Sequence, residues 1–227
     1  MRDEPQAIIE RLVRDARPVR RLRAPAVRLV AWSMLPLAML ASFVAWHARP
    51  DYGAQLRRPL FVLDLASLVL AAAVSAWLAL RAAVPGSGPA RRDVGLALGL
   101  GGVGVLLLAW GPAGAEVALG QFVRAGWRCF LMTALLATPP LAVLLWALRR
   151  GAPLAPASAG ALAGAGALLA SAAAMRIACP VDDPLHLIAW HMVPILLGVA
   201  LSAFAGAAWL GRWWLRPSRG GRGALTP

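Results

Sequence analysis

The sequence predicts an all-α, polytopic membrane protein, and three observations support that fold class. First, 60% of the residues are apolar and only 15% are charged, whereas a soluble domain is about half apolar. Second, apolar runs recur along the chain, and each is long enough to cross a hydrocarbon core of about 30 Å as a helix. Third, no run shows the period-two alternation of a barrel strand. We therefore expect six transmembrane helices, at about 29–48, 60–80, 94–110, 129–148, 158–175 and 185–210.

The arginines orient these helices. All 23 basic residues are arginine; 17 of them lie in the two end segments and in two connections, and the other 6 lie in the three alternate connections. Basic residues stay on the cytoplasmic side, so both termini are predicted to be cytoplasmic. The inward segments are 1–28, 81–93, 149–157 and 211–227. The net charge of +13 then reflects orientation in the bilayer, and we predict no direct contact with nucleic acid.

Residues 1–28, the cytoplasmic arginine-rich segment, contain an amphipathic helix. It can begin near Asp3, with Pro5 in its first turn, and should end before Pro18. Its apolar face carries Ile8, Ile9, Leu12 and Val13. This stripe fits either a groove in a partner protein or an anionic lipid surface. Just before the membrane, basic side chains would anchor the segment to lipid in both cases, among them Arg17, Arg20 and Arg21.

Residues 29–210 form the six-helix domain, and 211–227 form a basic cytoplasmic tail. Glycines at close-approach spacing, such as Gly95 with Gly99 and Gly160 with Gly164, predict that spans three and five are central. Prolines that remove a backbone donor should kink spans one, four and six; they are Pro36, Pro139, Pro140 and Pro194. Asp64 is the only aspartate, glutamate or arginine inside a span. It lies near an outer end, which predicts a structural role and argues against a carrier.

The two cysteines fall on the outer side of the predicted topology. Cys129 would begin span four and Cys179 lies in the last outer connection, where an oxidising environment permits a disulfide. Arg128 and a helix start would both favour a thiolate at Cys129, so we expect it to be reactive. Two interpretations of the cysteines remain open. They either form a structural disulfide or stay inert thiols, or they act as a redox- or metal-sensing pair.

The three histidines, His47, His186 and His191, lie on that same side. Together with the thiols they offer ligands suited to zinc, cadmium, copper or mercury. His186 and His191 are five residues apart, about 140° around an α-helix, so the helix alone should not chelate an ion. We predict no resident cofactor, with transient heavy-metal binding as the alternative. Of the acids nearby, we expect Asp183 to cap a helix that starts with Pro184, and Asp182 to be solvated.

Several short patterns recur near the two ends of the sequence and at its cysteines. The N-terminal pattern is Arg17-Pro18-Val19-Arg20-Arg21-Leu22 with Pro25, and Cys129 begins a span that contains Pro139. The C-terminal pattern is Cys179-Pro180, His186, Trp190-His191, Pro194, Gly206, Gly211-Arg212 and Trp213-Trp214. Together these patterns resemble the NrsF family, the negative regulators of sigma factor F.

The resemblance implies an anti-sigma factor of the bacterial inner membrane. Such a protein holds an extracytoplasmic-function sigma factor until metal or oxidative stress in the envelope releases it. Its two sensing cysteines map onto Cys129 and Cys179. The resemblance also favours sigma-factor docking over lipid binding for the apolar stripe of residues 1–28.

Enzyme signatures are missing from the sequence. Lysine is absent, so there is no phosphate-binding loop that ends in Lys-Ser or Lys-Thr, and there is no Gly-x-Ser-x-Gly or His-Glu-x-x-His. We therefore predict that the protein is not an enzyme. Two alternatives remain from the residues: a small transporter of metal or another solute, and a membrane thiol redox protein.

Overall fold

The computed structural model describes residues 3–15, 22–89, 91–109 and 119–211, and the all-α prediction is confirmed in these ranges, which contain no strand. The helices are α1 (Asp3–Asp15), α2 (Pro25–His47), α3 (Tyr52–Gln55), α4 (Pro59–Ala82), α5 (Arg91–Ala109), α6 (Leu119–Arg149), α7 (Pro156–Ala178), α8 (Pro184–Leu187) and α9 (Val193–Ala205). Two π-helical turns, Ile188–Met192 and Gly206–Leu210, precede and follow α9. Together α8, α9 and these turns form one continuous last helix, Pro184–Leu210.

Five helices of the described residues are long and apolar enough to cross a membrane, which is one fewer than the six predicted. They are α2, α4, α6, α7 and the last helix. The predicted span 94–110 falls in α5, whose described apolar part, Gly95–Gly104, is shorter than the others. Five apolar helices of this length are consistent with a membrane protein.

Helix α6 begins ten residues before the predicted start of span four. It runs for 31 residues, about 46 Å at 1.5 Å per residue, and so exceeds the hydrocarbon thickness. The first turns carry Gln121, Arg124 and Arg128, which ended the apolar run in the sequence. Helical hydrogen bonding therefore continues past the apolar segment.

Helix α7 lies at the centre of the bundle, as predicted for span five. It is the most buried of the five apolar helices and packs against α4, α6 and the last helix. A Cβ atom on Gly160 would overlap the backbone of Ser202 and Gly206, so the absence of a side chain allows α7 and the last helix to approach closely. Span three was also predicted to be central. That prediction was wrong, because α5, which contains this span, packs mainly on α4.

The helix ends define two faces of the bundle. At one, Arg28 of α2 donates hydrogen bonds to the carbonyls of Ala147 at 2.8 Å and Leu80 at 3.4 Å, near the ends of α6 and α4. We call this the Arg28 end. At the other, the amide of Arg49, just after α2, donates to the carbonyl of Ile177 near the end of α7 at 3.1 Å. We call this the Cys179 end, because Cys179 follows α7 directly.

The four prolines lie in or beside helices, as predicted. Pro36 is inside α2, and Pro139 and Pro140 are inside α6. The buried indole of Trp32 donates to the carbonyl of Pro140 at 2.9 Å, which ties α2 to α6. Pro194 is the second residue of α9, which follows the first π-helical turn. The kinks themselves stay a prediction.

Helix α1 carries the apolar stripe. Ile8, Ile9, Leu12 and Val13 are 56–69% exposed. The other residues predicted for docking, Arg17, Pro18, Arg20 and Arg21, lie outside the described residues. So does the tail 211–227, apart from Gly211.

Candidate thiol and metal site

Four side chains from three parts of the chain meet at the Cys179 end. Cys129 comes from the third turn of α6, Cys179 follows α7, His186 lies in α8 and His191 lies in the first π-helical turn. We call them the thiol–imidazole cluster. All four residues are buried, and one ligand atom of each lies within 4.8 Å of those of the others. The structure therefore brings together both predicted cysteines and two of the three predicted histidines.

The distances within the cluster are short. The Sγ atoms of Cys129 and Cys179 are 3.7 Å apart, with Cys129 as the donor. The Sγ of Cys179 is 3.5 Å from Nε2 of His186. Both cysteines are free thiols. Within the described chain, neither ring nitrogen of the buried His191 has a hydrogen-bond partner.

The π-helical turn Ile188–Met192 explains why both histidines face the cluster. The amide of Val193 donates to the carbonyl of Ile188, five residues earlier, as in a π-helix. This wider turn brings positions five apart onto one face, whereas the α-helical geometry assumed from the sequence placed them about 140° apart. The expectation that this helix could not present both imidazoles together was therefore wrong.

Hydrogen bonds fix Cys129 and His186 from the backbone side. Thr133, one turn after Cys129, donates to the carbonyl of Cys129 at 2.8 Å and accepts at its own carbonyl from Ser171 of α7 at 2.6 Å. The carboxylate of Asp183 accepts from the amide of His186 at 2.9 Å. The predicted N-cap role of Asp183 is thereby confirmed.

Arg49 holds the connection that carries Cys179. Its guanidinium donates to the carbonyl of Cys179 at 3.1 Å and to both carboxylate oxygens of Asp182, at 2.7 and 2.8 Å. It also donates to Asp51, at 2.6 Å. The connection after α7 is therefore tied to the connection after α2.

A second arginine, Arg176 in the last turn of α7, continues this ion network. It pairs with Asp64 of α4 at 2.7 Å and with Asp182 at 3.0 Å. Asp64 is thus paired, which fits the structural role predicted for it. The prediction that Asp182 is solvated was wrong, because Asp182 bridges two buried arginines. Arg49 and Arg176 were not among the predicted site residues, although each is a charged residue at the edge of an apolar run, which is a sequence signal for such a pair.

The pairs with arginine determine the ionisation of two carboxylates, those of Asp51 and Asp182. Burial raises the pKa of Asp182, but hydrogen bonds from Arg49 and Arg176 outweigh burial and lower it overall. Hydrogen bonds from Arg49 and Gln55 lower the pKa of Asp51 to about 2. Asp51 and Asp182 are therefore ionised at neutral pH, and both can pair with Arg49 there.

The thiol that the structure favours as a thiolate is Cys179. The hydrogen bond from the Cys129 thiol lowers the pKa of Cys179 most, and the hydrogen bond with His186 adds to the effect. The sequence argument for Cys129 does not hold, because Cys129 lies ten residues into α6 and so is far from a helix start. Arg128 is exposed while Cys129 is buried.

Aromatic side chains cover the cluster. The ring of Trp190 packs against Cys129 and Cys179 and lies over Gly126, where a Cβ atom would overlap it. The ring of Phe122 meets His186 edge-on, with centroids 6.3 Å apart, and lies 5.6 Å from that of Trp190. This packing shields the sulfur atoms from solvent.

His47, the third predicted histidine, lies apart from the cluster. It is exposed at the end of α2, where its ring stacks on Phe43 and its Nδ1 is 3.3 Å from the Phe43 carbonyl. His47 therefore serves as a natural comparison for the two buried histidines.

Two kinds of chemistry are open to this arrangement. Two thiols at this separation can form a disulfide after a small movement. Two sulfurs and two imidazoles can also hold a soft or borderline metal ion.

The chain matches the sequence model of one family, described as the negative regulator of sigma F, over residues 12–216. That range includes the five apolar helices and the whole thiol–imidazole cluster. No curated protein matches the chain, and no solved structure does. The resemblance found in the sequence is thereby confirmed: this protein belongs to the NrsF family of negative regulators of sigma F.

Proposed function

We propose that this protein is an anti-sigma factor of the bacterial inner membrane that binds an extracytoplasmic-function sigma factor through residues 1–28. It releases that partner when Cys129 and Cys179 respond to metal or oxidative stress in the envelope. The observation that carries the proposal is the family match over residues 12–216, because the family name implies a sigma factor as the partner. A regulatory role of this kind requires no catalysis.

Helix α1 supports docking through residues 1–28. Its apolar stripe is more than half exposed, and a helix of 13 residues is marginal by itself in water. Burying each of the four apolar side chains in a groove would contribute about 1–2 kcal/mol, since fully burying such a side chain is worth about 1.5–3 kcal/mol. A sigma-factor groove would thus order the helix and hold it.

The proposed topology has six spans: the five apolar helices and α5, which is the third span in chain order. Its 19 residues rise about 28 Å, close to the thickness of the hydrocarbon core. An even number of spans places both termini on one side, and the arginine bias makes that side cytoplasmic. The Arg28 end is then cytoplasmic and the Cys179 end faces the periplasm.

Helix α2 offers a direct path between the two ends. It begins at Pro25, inside the docking segment 1–28, and Arg49, two residues after the helix ends, donates to the carbonyl of Cys179. Only Trp32 of α2 is buried, so a shift of this helix would disturb few core contacts. We propose that movement of the Cys179 connection reaches residues 1–28 through α2.

Oxidation would supply such a movement. With hydrogen peroxide as the oxidant, the two thiols lose two electrons and two protons, a sulfur–sulfur bond forms, the O–O bond breaks and two waters are released. The sulfurs must close from 3.7 Å to about 2 Å. Closure draws the connection after α7 towards α6 and changes its contact with Arg49.

Co-purification of the sigma factor with the full-length protein tests docking. Deleting residues 1–22 should abolish retention, and Leu12→Glu should weaken it because a charge replaces an apolar contact. Arg11→Ala, on the polar face of the same helix, is the matched control. Retention of the sigma factor after the deletion would refute docking through this segment.

A sigma-dependent reporter tests sensing. Cys129→Ser and Cys179→Ser should each keep the reporter silent under peroxide or cadmium, while His47→Gln should respond as the wild type does. A normal response in both serine variants would remove the thiols from the mechanism.

Labelling tests the topology. In a chain without the native cysteines, His47→Cys should react with a membrane-impermeant maleimide in intact cells, and Leu154→Cys should react only after lysis. Both residues are exposed, at opposite ends of the bundle. The reverse pattern would invert the orientation.

A further inference from the structure

We propose that the thiol–imidazole cluster is a four-ligand site for a divalent ion of the zinc group, Zn²⁺ or Cd²⁺, with His186 and His191 as ligands beside Cys129 and Cys179. This inference deepens the proposed function, because it names the ligand of the site to which we assign sensing. The histidines then become part of the receptor for the metal.

The distances match a tetrahedral ion. With bonds of about 2.3 Å to sulfur and about 2.05 Å to nitrogen, tetrahedral angles place two sulfurs about 3.8 Å apart and a sulfur and a nitrogen about 3.6 Å apart. The structure has 3.7 Å between the Sγ atoms of Cys129 and Cys179. It has 3.5 Å between Sγ of Cys179 and Nε2 of His186. Two edges of the tetrahedron are therefore present already.

His191 provides the second, independent observation. It is 1% exposed, and in the described chain neither of its ring nitrogens has a hydrogen-bond partner. A buried polar group without a partner is costly, and coordination by one nitrogen would satisfy it. Its ligand atom lies within 4.8 Å of those of the other three residues.

Asp64 is placed to support His191. Arg176 binds one carboxylate oxygen of Asp64, and the other, Oδ1, is buried without a hydrogen-bond partner among the described residues. Asp64, through its pair with Arg176, and His191 both lie at the Cys179 end of the bundle. A carboxylate beside the second nitrogen of a metal-bound imidazole orients the ring and strengthens its bond to the metal.

The donor set determines which ions fit. Two thiolates and two neutral imidazoles carry a charge of −2, which cancels that of a divalent ion in a buried site. Sulfur and imidazole ligands in this geometry favour zinc-group ions over Mg²⁺ or Ca²⁺, which prefer oxygen. Because the metal and a disulfide would use the same two sulfurs, a bound ion and the oxidised state exclude each other.

Cobalt binding to the reduced, full-length protein in detergent tests the site. Co²⁺ should bind at one ion per chain with the visible bands of tetrahedral coordination and thiolate charge-transfer bands, and Zn²⁺ or Cd²⁺ should displace it. Cys129→Ser and Cys179→Ser should remove the charge-transfer contribution of one thiolate each. His186→Gln and His191→Gln should weaken Co²⁺ at least tenfold and change the visible bands, whereas His47→Gln should change neither.

Asp64→Asn should leave the ligand set intact and weaken Co²⁺ about 10–100-fold. Cooperative thermal unfolding of each variant in detergent, followed by tryptophan fluorescence, shows that the variant is folded, so loss of metal binding cannot be attributed to unfolding. No Co²⁺ binding by the wild type, or equal binding by the wild type and the two buried-histidine variants, would overturn the metal site. If the metal fails to bind while peroxide still releases the sigma factor, the proposed function stands alone. If the metal binds as expected but no sigma factor is retained, the proposed function fails and the site remains.

Discussion

Substitution of Arg176 should measure how strongly its buried ion pair with Asp64 stabilises the protein. Its guanidinium is 2.7 Å from Asp64, and the two side chains are only 9% and 3% exposed. Arg176→Met leaves the carboxylate of Asp64 buried without its cation, and removal of one partner of a buried pair costs about 3–5 kcal/mol. For a chain of this length, we expect the melting temperature to fall by about 6–20 °C. The substitution also removes the pair between Arg176 and Asp182. Because Asp182 keeps Arg49 as a partner, this second loss adds little to the destabilisation.

Thermal unfolding of the full-length protein in detergent, followed by tryptophan fluorescence, measures this loss. Asp64→Asn combined with Arg176→Met removes both charges and should recover most of the stability. Arg92→Met breaks an exposed pair of 3.7 Å with Asp93 and should cost less than about 1 kcal/mol. If the single and double variants unfold at the same temperature, the loss comes from packing, and the argument from uncompensated charge is refuted.

Three further predictions follow from the structure. Gly126→Ala should destabilise the protein by about 1–3 kcal/mol and slow disulfide formation, because the new methyl group displaces the indole of Trp190 over the cluster. The control is Gly120→Ala on the same helix. Its methyl group meets only the end of a flexible side chain, so it should have little effect in the same unfolding assay. Folding lowers the pKa of Asp51 to about 2 and also lowers that of Asp182. The contribution of each carboxylate to stability should therefore be complete above the ordinary aspartate pKa of about 4 and be lost as the pH falls through its lowered pKa. Asp51→Asn should flatten the acid limb of a plot of melting temperature against pH, and an unchanged limb would contradict this. Trp32→Phe keeps a large ring but loses the hydrogen bond to α6 and should cost about 1 kcal/mol by thermal unfolding, with no change in cobalt binding.

The features that apolar pattern and local chemistry determine could be predicted from the sequence. Apolar runs located five of the helices, and close-approach glycines identified α7 as central. Asp183 before Pro184 gave the N-cap, because a side-chain acceptor followed by proline is a local signal. The side of the bundle shared by both cysteines followed from the order of the helices.

The remaining features depend on tertiary contacts. The start of α6 lies beyond the apolar run, since helical hydrogen bonds extend through its arginines. Asp182 was expected in water because its partners, Arg49 and Arg176, are distant in sequence or belong to another element. The face shared by His186 and His191 depends on a turn type that the α-helical period does not describe.

That π-helical turn has a consequence for the length of the chain. A π turn inside a helix holds one residue more than the α-helical turn it replaces. Removing Ala189 would leave the two imidazoles four positions apart, a spacing at which side chains of a regular α-helix stack on one face. The segments before and after would keep their orientation, so α9 could still meet the small residues of α7. A related protein that lacks this one residue would therefore be expected to keep the same pocket. Its two histidines would be four residues apart instead of five, so a comparison by spacing alone would miss that they correspond to His186 and His191.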